Sequence, residues 1–270
     1  MEFLSLTGEV TRARALEAIL SQGTSEEQAS ELCIDAGMVR RVDVVTATAT
    51  RMRIARHLRE HTSGRVTLVT PQDDDVAARF IDLLLPLDDA TQERVTLVGS
   101  PADPRPPAHF ALVSATVVPD PEAVLTLGEF TFEMCMRARI SRRRAGFVAA
   151  ATMELSDNAL IHATDAPDQP VLAITSFGRQ RFVEIAVTDA GSALSEANDP
   201  TTLVRTIPGR AVKGEPGFLG LIMQRAREAQ VDVSVEMLAG TARLRWTAKA
   251  HRTERNRHVP GTTVVVRLGA

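Results

Sequence analysis

The sequence has no tyrosine, one tryptophan and nine phenylalanines in 270 residues. A core must therefore be assembled mainly from Ala, Val, Leu and Ile, and aromatic platforms for stacking bases or sugars are scarce. Only two cysteines are present, Cys33 and Cys135, far apart in the chain. Two thiols do not make a disulfide scaffold, which points to a reducing compartment. The formal charge is only −3, from 31 basic and 34 acidic residues, so the overall balance demands neither a nucleic acid nor a membrane partner. No run of apolar residues reaches membrane-spanning length without charges. The first twenty residues lack a basic segment ahead of an apolar run and a small-residue cleavage site, and the expected location is cytoplasmic.

Against these absences stand 44% hydrophobic and 24% charged residues, the composition of a globular protein with a substantial core. The first hundred residues alternate in period. Thr24-Ser25-Glu26-Glu27 has the form of a capping box, predicting a helix to about Ala36 with Gly37 as its stop. Val42–Ala47 is short and β-branched and predicts a strand; Arg51–Glu60 predicts a helix ended near Gly64. Arg65–Thr70 and Arg94–Val98 predict strands. Between them Asp73, Asp74 and Asp75 open a helix with Val76, Phe80 and Leu84 on its apolar face. Three acids there suit unpaired N–H groups of a first turn better than a metal. The order implies a small α/β unit. Thr46–Thr50 comes after the predicted strand but has no glycine-rich phosphate loop, and no chemistry is assigned to it.

Ser100-Pro-Ala-Asp-Pro-Arg-Pro-Pro107 breaks the pattern, since proline blocks both helix and ladder. The domains expected are therefore 1–107, an α/β unit of unassigned and partner-binding role, and 108–270. In the second, Phe110–Val118 predicts a strand, Pro121–Arg137 and Ser141–His162 helices, and Val171–Ser176 and Arg181–Thr188 a hairpin. A long glycine-containing loop then runs from Gly191 to Gly217, with a helix after it at Leu219–Ala229. Val231–Leu238, Ala242–Ala248 and Thr262–Leu268 predict three further strands, with a charged loop near 250–259. Helices beside a largely antiparallel sheet predict a two-layer α/β sandwich.

Three pieces carry candidate chemistry. Glu154, Asn158 and His162 recur every four residues and share a helix face, with Met153, Leu160 and Ile161 supplying part of the apolar side. That face is either functional or an ordinary solvated one. Asp189 ends an apolar strand just before Gly191, so it either faces a site mouth or merely caps the turn. Gly217 and Gly220 straddle a helix start, where backbone N–H groups receive phosphate oxygens or the chain simply needs a flexible cap. Two basic runs remain. Arg142-Arg143-Arg144 reads as a solvated helix start more readily than as a phosphate or partner contact. Arg243, Arg245, Lys249, Arg252, Arg255 and Arg257 make a tail more basic than its surroundings, although the charge balance and the missing aromatics weigh against nucleic acid; Trp246 within it reads as strand-face packing.

Taken in order, Glu154-x-x-x-Asn158-Ala159 with His162-Ala163, Asp189-x-Gly191, Gly217 with Gly220, and Gly261-Thr262 resemble the histidine kinase-like (GHKL-type) ATPase domain. That domain is shared by gyrase B, the MutL proteins and sensor histidine kinases, and the resemblance is closer to the bacterial anti-sigma-factor serine/threonine kinases. It spans residues 121 to 268. The resemblance implies ATP and Mg2+ as cofactors, with Asn158 as the metal ligand and Glu154 as the acid that orients the attacking hydroxyl or water. It implies that Asp189 accepts from the adenine amino group, that Gly191 leaves room for the base, that Gly217 and Gly220 meet phosphate, and that Thr262 lies close to adenine. It also implies a regulatory protein with a sigma factor or an anti-sigma antagonist as partner, and a homodimer. Two positions depart from the family: Ala193 stands where a second glycine is usual, and Phe218 and Leu219 separate Gly217 from Gly220. These departures keep open a catalytically inactive nucleotide-sensing or scaffold protein. A sensor histidine kinase fits less well, because His57 and His61 lie on a short helix of the α/β unit.

Overall fold

A computed structural model describes residues 2–7, 30–40, 42–84, 93–99, 109–117, 119–162, 170–177, 182–191, 218–247 and 249–269. The chain is a mixed α/β protein with one parallel and one antiparallel sheet. The parallel sheet holds β1 (Glu2–Thr7), β2 (Glu31–Met38), β3 (Arg65–Val69) and β4 (Val95–Val98), side by side in chain order. Helix α1 (Val44–Glu60) connects β2 to β3, and α2 (Asp74–Leu84) lies between β3 and β4 in the chain. The antiparallel sheet has the order β5-β6-β7-β9-β8, from β5 (His109–Thr116), β6 (Val171–Phe177), β7 (Phe182–Asp189), β8 (Val233–Thr247) and β9 (His251–Leu268). Helices α3 (Pro121–Arg137), α4 (Arg142–His162) and α5 (Phe218–Glu228) complete the described elements.

Several expectations are met closely. Asp73 accepts from the Val76 N–H and starts α2, which buries Phe80 and Leu84. Asp120 caps α3 by accepting from the Glu122 N–H, with Pro121 in the first turn. β6 and β7 pair antiparallel as expected, with Phe177 in the strand rather than the turn and residues 178–181 outside the described part, and Trp246 is buried.

Four readings are corrected. The helix expected up to Ala36 overlaps β2; residues 24–29 lie outside the described part. In β2, Leu32, Ile34 and Ala36 alternate into the core between two parallel neighbours, and that period of two decides the segment. Val42–Ala47 is the start of α1 rather than a strand. Asp43 accepts from the Thr46 N–H at 2.8 Å and fixes the helix origin. Burial around the helix then outweighs the β preference of its Val and Thr residues. The Thr48 and Thr50 hydroxyls bond back to the carbonyls of Val45 and Thr46, so their polarity is satisfied. The two strands expected at 231–238 and 242–248 are one, β8, irregular near Gly240. The segment expected as a charged loop, 250–259, is mostly the first arm of β9. Strand β1, unassigned in the sequence, adds a fourth member to the parallel sheet.

The two sheets do not stand apart. Helix α1 touches β3 on one side and β6 and β7 on the other, and α2 touches β5. One apolar cluster joins Leu32, Ile34, Met52, Leu58 and Phe80 to Val171, Ala186, Leu238 and Val265 of the antiparallel sheet. The other face of that sheet, with Ile174, Ile185, Val187, Val235, Val264 and Val266, packs with Val148, Leu155, Leu219 and Ile222 of the second helical layer. The order of layers is parallel sheet, helices α1–α2, antiparallel sheet, helices α3–α5.

Polar groups also cross the first junction. Thr48 of α1 shares a hydrogen bond with Thr188 of β7 at 2.9 Å, and Thr188 another with Thr263 of β9 at 3.1 Å. Arg51 of α1 donates to Ser114 and Thr116 of β5. Replacing Thr188 by Val keeps the volume but leaves Thr263 and Thr48 without their central partner. Thr188→Val is expected to lower unfolding free energy by about 1–2 kcal/mol in urea titration. The two thiols allow a second check. Burial pushes Cys135 up to about 12, and burial followed by the charge of Asp35 raises Cys33. Both thiols therefore stay protonated at mildly alkaline pH. A thiol reagent is expected to modify half-buried Cys33 slowly and Cys135 only after denaturation.

Candidate functional site

Helix α4 is positioned by a stripe at Val148, Ala151, Leu155 and Ala159, all buried against the antiparallel sheet and its helical neighbours. Of the expected apolar side, Met153 and Leu160 are half-buried and pack against this core, whereas Ile161 is 68% exposed and is corrected to a solvent-facing position. Glu154 and Asn158 flank the stripe, partly shielded from solvent. The Glu154 carboxylate accepts from the Arg225 guanidinium of α5 at 2.7 Å, tying the two helices together. Arg225 is not singled out by the sequence. Its only signal is the α5 stripe Leu219, Ile222, Met223 and Ala226, which leaves position 225 on the helix flank. Asp157, next to this pair, has its carboxyl raised by partial burial and then by the Glu154 charge.

Asp189 ends β7 and is 4% exposed. Its Oδ1 accepts from the Gly191 N–H at 2.9 Å, so it does cap the turn. It also stands directly opposite Thr262 of β9 in the ladder. Directly opposed residues share a face, and the alternation identifies which one. Ile185 and Val187 on β7, and Val264 and Val266 on β9, belong to the core beneath α4. Asp189 and Thr262 continue those two rows, so both turn toward the helical layer that carries Glu154 and Asn158.

The approach of the two strand ends depends on Gly261. Its φ is +75°, and a Cβ built there would lie 1.9 Å from the Asp189 carbonyl oxygen and 2.9 Å from the Ala190 Cα. Only glycine accepts both the angle and the contact. Gly191 is buried, and Gly220 is buried in the first turn of α5. Gly217 and Ala193, like the rest of 192–217, lie outside the described residues, as does the His162 side chain. Among the described residues no three His, Cys, Asp or Glu side chains cluster as a metal site. A hard ion held by one amide oxygen, phosphates and water needs no such cluster.

Two groups thus emerge. Asp189, Gly191, Gly261 and Thr262 meet at the end of the β7–β9 pair, while Glu154, Asn158 and Arg225 lie on α4 and α5 above the same face. A buried carboxylate beside a hydroxyl can accept from an exocyclic amine and exclude a keto group. A flanking amide and carboxylate can serve a hydrated cation and a nucleophile. Gly261→Ala is expected to destabilise the fold by more than about 2 kcal/mol in denaturant titration, because strained φ and a backbone collision act together. No family model matches the sequence, and a search of curated proteins finds no match to it.

Proposed function

We propose that this chain is an ATP- and Mg2+-binding regulatory protein whose C-terminal half is a two-layer sandwich of the histidine kinase-like ATPase type. On this reading it acts as a serine/threonine protein kinase of the anti-sigma-factor type, with a sigma factor or anti-sigma antagonist as protein partner. The observation that carries the reading is the pairing of buried Asp189 with Thr262 across β7 and β9, on the face beneath the helix that bears Glu154 and Asn158.

The residues present fit such a ligand. Asp189 accepts from the adenine amine, Thr262 supplies a hydroxyl beside it, and Gly191 keeps a side chain off the base. Asn158 offers a neutral oxygen to the cation, and amides at the start of α5 near Gly220 face the phosphates. When bound, Mg·ATP supplies the transferable phosphoryl group with its charge partly neutralised. Glu154 orients the accepting hydroxyl and takes its proton.

The ion pair between Glu154 and Arg225 supports a second reading, a nucleotide-sensing scaffold without turnover. A carboxylate whose oxygen is occupied by a guanidinium is held away from a nucleophile. Titration calorimetry with ATP and Mg2+ tests what both readings share. Asn158→Ala is expected to weaken Mg-dependent binding at least tenfold. Asp189→Asn is expected to lose at least tenfold in ATP affinity and most of the preference over GTP. No heat at millimolar nucleotide would reject both readings. Phosphate release or transfer to a protein hydroxyl, abolished by Glu154→Gln, selects the kinase; binding without turnover in both the wild type and Arg225→Ala selects the scaffold.

A further inference from the structure

The β8–β9 pair is longer than the sheet that carries it. β7 pairs with β9 only from Thr262 to Leu268, whereas β8 and β9 continue past that point to Trp246 opposite His251. The ladder is irregular where the extension begins: Ala239 faces Thr262 and Gly240 faces Val259, leaving Pro260 and Gly261 as extra residues in β9. Such a bulge increases the local twist and re-aims the strands on its far side. There, residues 241–247 and 251–258 form a two-stranded ribbon with arms of roughly 25 Å at strand rise.

That ribbon concentrates charge. Residues 241–258 hold six Lys and Arg against a single acid, Glu254, a net of +5 in a chain whose total is −3; the remainder carries −8. Arg243, Arg245 and Arg252 share one face, and Arg255 lies on the other, opposite Ala242. Ala242, Leu244 and Trp246 are buried in the core of the helical side, so the alternate positions Arg243 and Arg245 occupy the other face, opposite Glu254 and Arg252. Arg245 and Arg252 are directly opposed, and their side chains are 52% and 78% exposed. Like charges in that position destabilise a ribbon.

Neighbouring acids do not cancel them. Glu236 is taken by Arg267 at 2.7 Å and by Arg243, and Glu254 by Arg243 at 3.1 Å. Arg245 stands 3.8 Å from Glu236 and 3.9 Å from Glu254, and Arg252 3.9 Å from Glu254. Four arginines (Arg243, Arg245, Arg252 and Arg267) share Glu184, Glu236 and Glu254. Lys249, at the turn, and Arg255 add exposed cations.

We propose that this ribbon binds the phosphodiester backbone of duplex DNA. A two-stranded ribbon fits the major groove. The cations are five Arg to one Lys, and the guanidinium fork suits phosphate oxygens. Trp246 is buried in the core, so the ribbon offers no aromatic platform for unstacked bases, which favours backbone contact with a duplex over single-strand capture. DNA binding by the ribbon does not require nucleotide binding at the other site.

Fluorescence anisotropy of a short labelled DNA duplex with the full chain tests it, over a series of salt concentrations. Binding at low salt is expected with a log–log salt slope of about −3, corresponding to three or four neutralised phosphates. Arg245→Ser with Arg252→Ser is expected to weaken binding at least tenfold and reduce the slope by about two, with an unchanged or higher urea midpoint because a like-charge pair is removed. Lys249→Ser, a single change at the turn, is expected to reduce the slope by about one, and Arg137→Ser on α3 to change nothing. Absence of binding at low salt, or indifference to both ribbon variants, would overturn the proposal. So would equal competition by polyglutamate of matched charge, which would mark the ribbon as a contact for an acidic protein. Tighter binding of duplex RNA would overturn the assignment to DNA.

Discussion

The constraint on which the structure depends is the enclosure of α1 between two sheets. A helix covered on both sides has no solvent in which to leave polar groups, so each must find a protein partner. Thr50 bonds within the helix, Thr48 to both its own helix and β7, and Arg51 to β5. These bonds, together with a continuous apolar cluster, hold the parallel sheet to the back of the antiparallel one. Once that back is covered, the opposite face of the antiparallel sheet is left for α3, α4 and α5, and with it the ends of β7 and β9.

A second constraint comes from charge inside the antiparallel sheet. Glu184 and Glu236 are nearly fully buried, and each accepts from Arg267 on the strand between them. A buried pair of this kind contributes little net stability, but losing one member leaves an uncompensated charge. The network therefore penalises a slip of β7 or β8 against β9, since a shift by one residue would send every arginine to the wrong face.

The fold is legible in the sequence wherever local and long-range effects agree. From α3 to β7 the second half reads well because its signals are local: Asp120 and Pro121 start α3, and the apolar rows of β6 and β7 alternate; β8 and β9 are misread because strands that continue through an irregular ladder depend on each other as partners. The first half misleads because α1 is buried on both sides. Its valines and threonines look like a strand when burial is taken as one-sided, and β2 loses its strand character to a capping box that precedes it. Of the candidate site, the residue types and their chain order are visible in the sequence, Gly261-Thr262 only through the family resemblance. The pairing of Asp189 with Thr262 is not, because strand order in a sheet is a long-range property. Arg225 could not be found either, since an arginine on a helix flank looks solvated until its partner from another helix is known.

Thr188 and Asp189 are consecutive, as are Thr263 and Thr262, and within each pair the side chains point in opposite directions. One residue of each pair belongs to the seam with α1 and the other to the candidate site. A strand is stiff along its length, so β7 and β9 act as a shared wall. The seam with the N-terminal half and the candidate site are therefore one residue apart on each of the two strands.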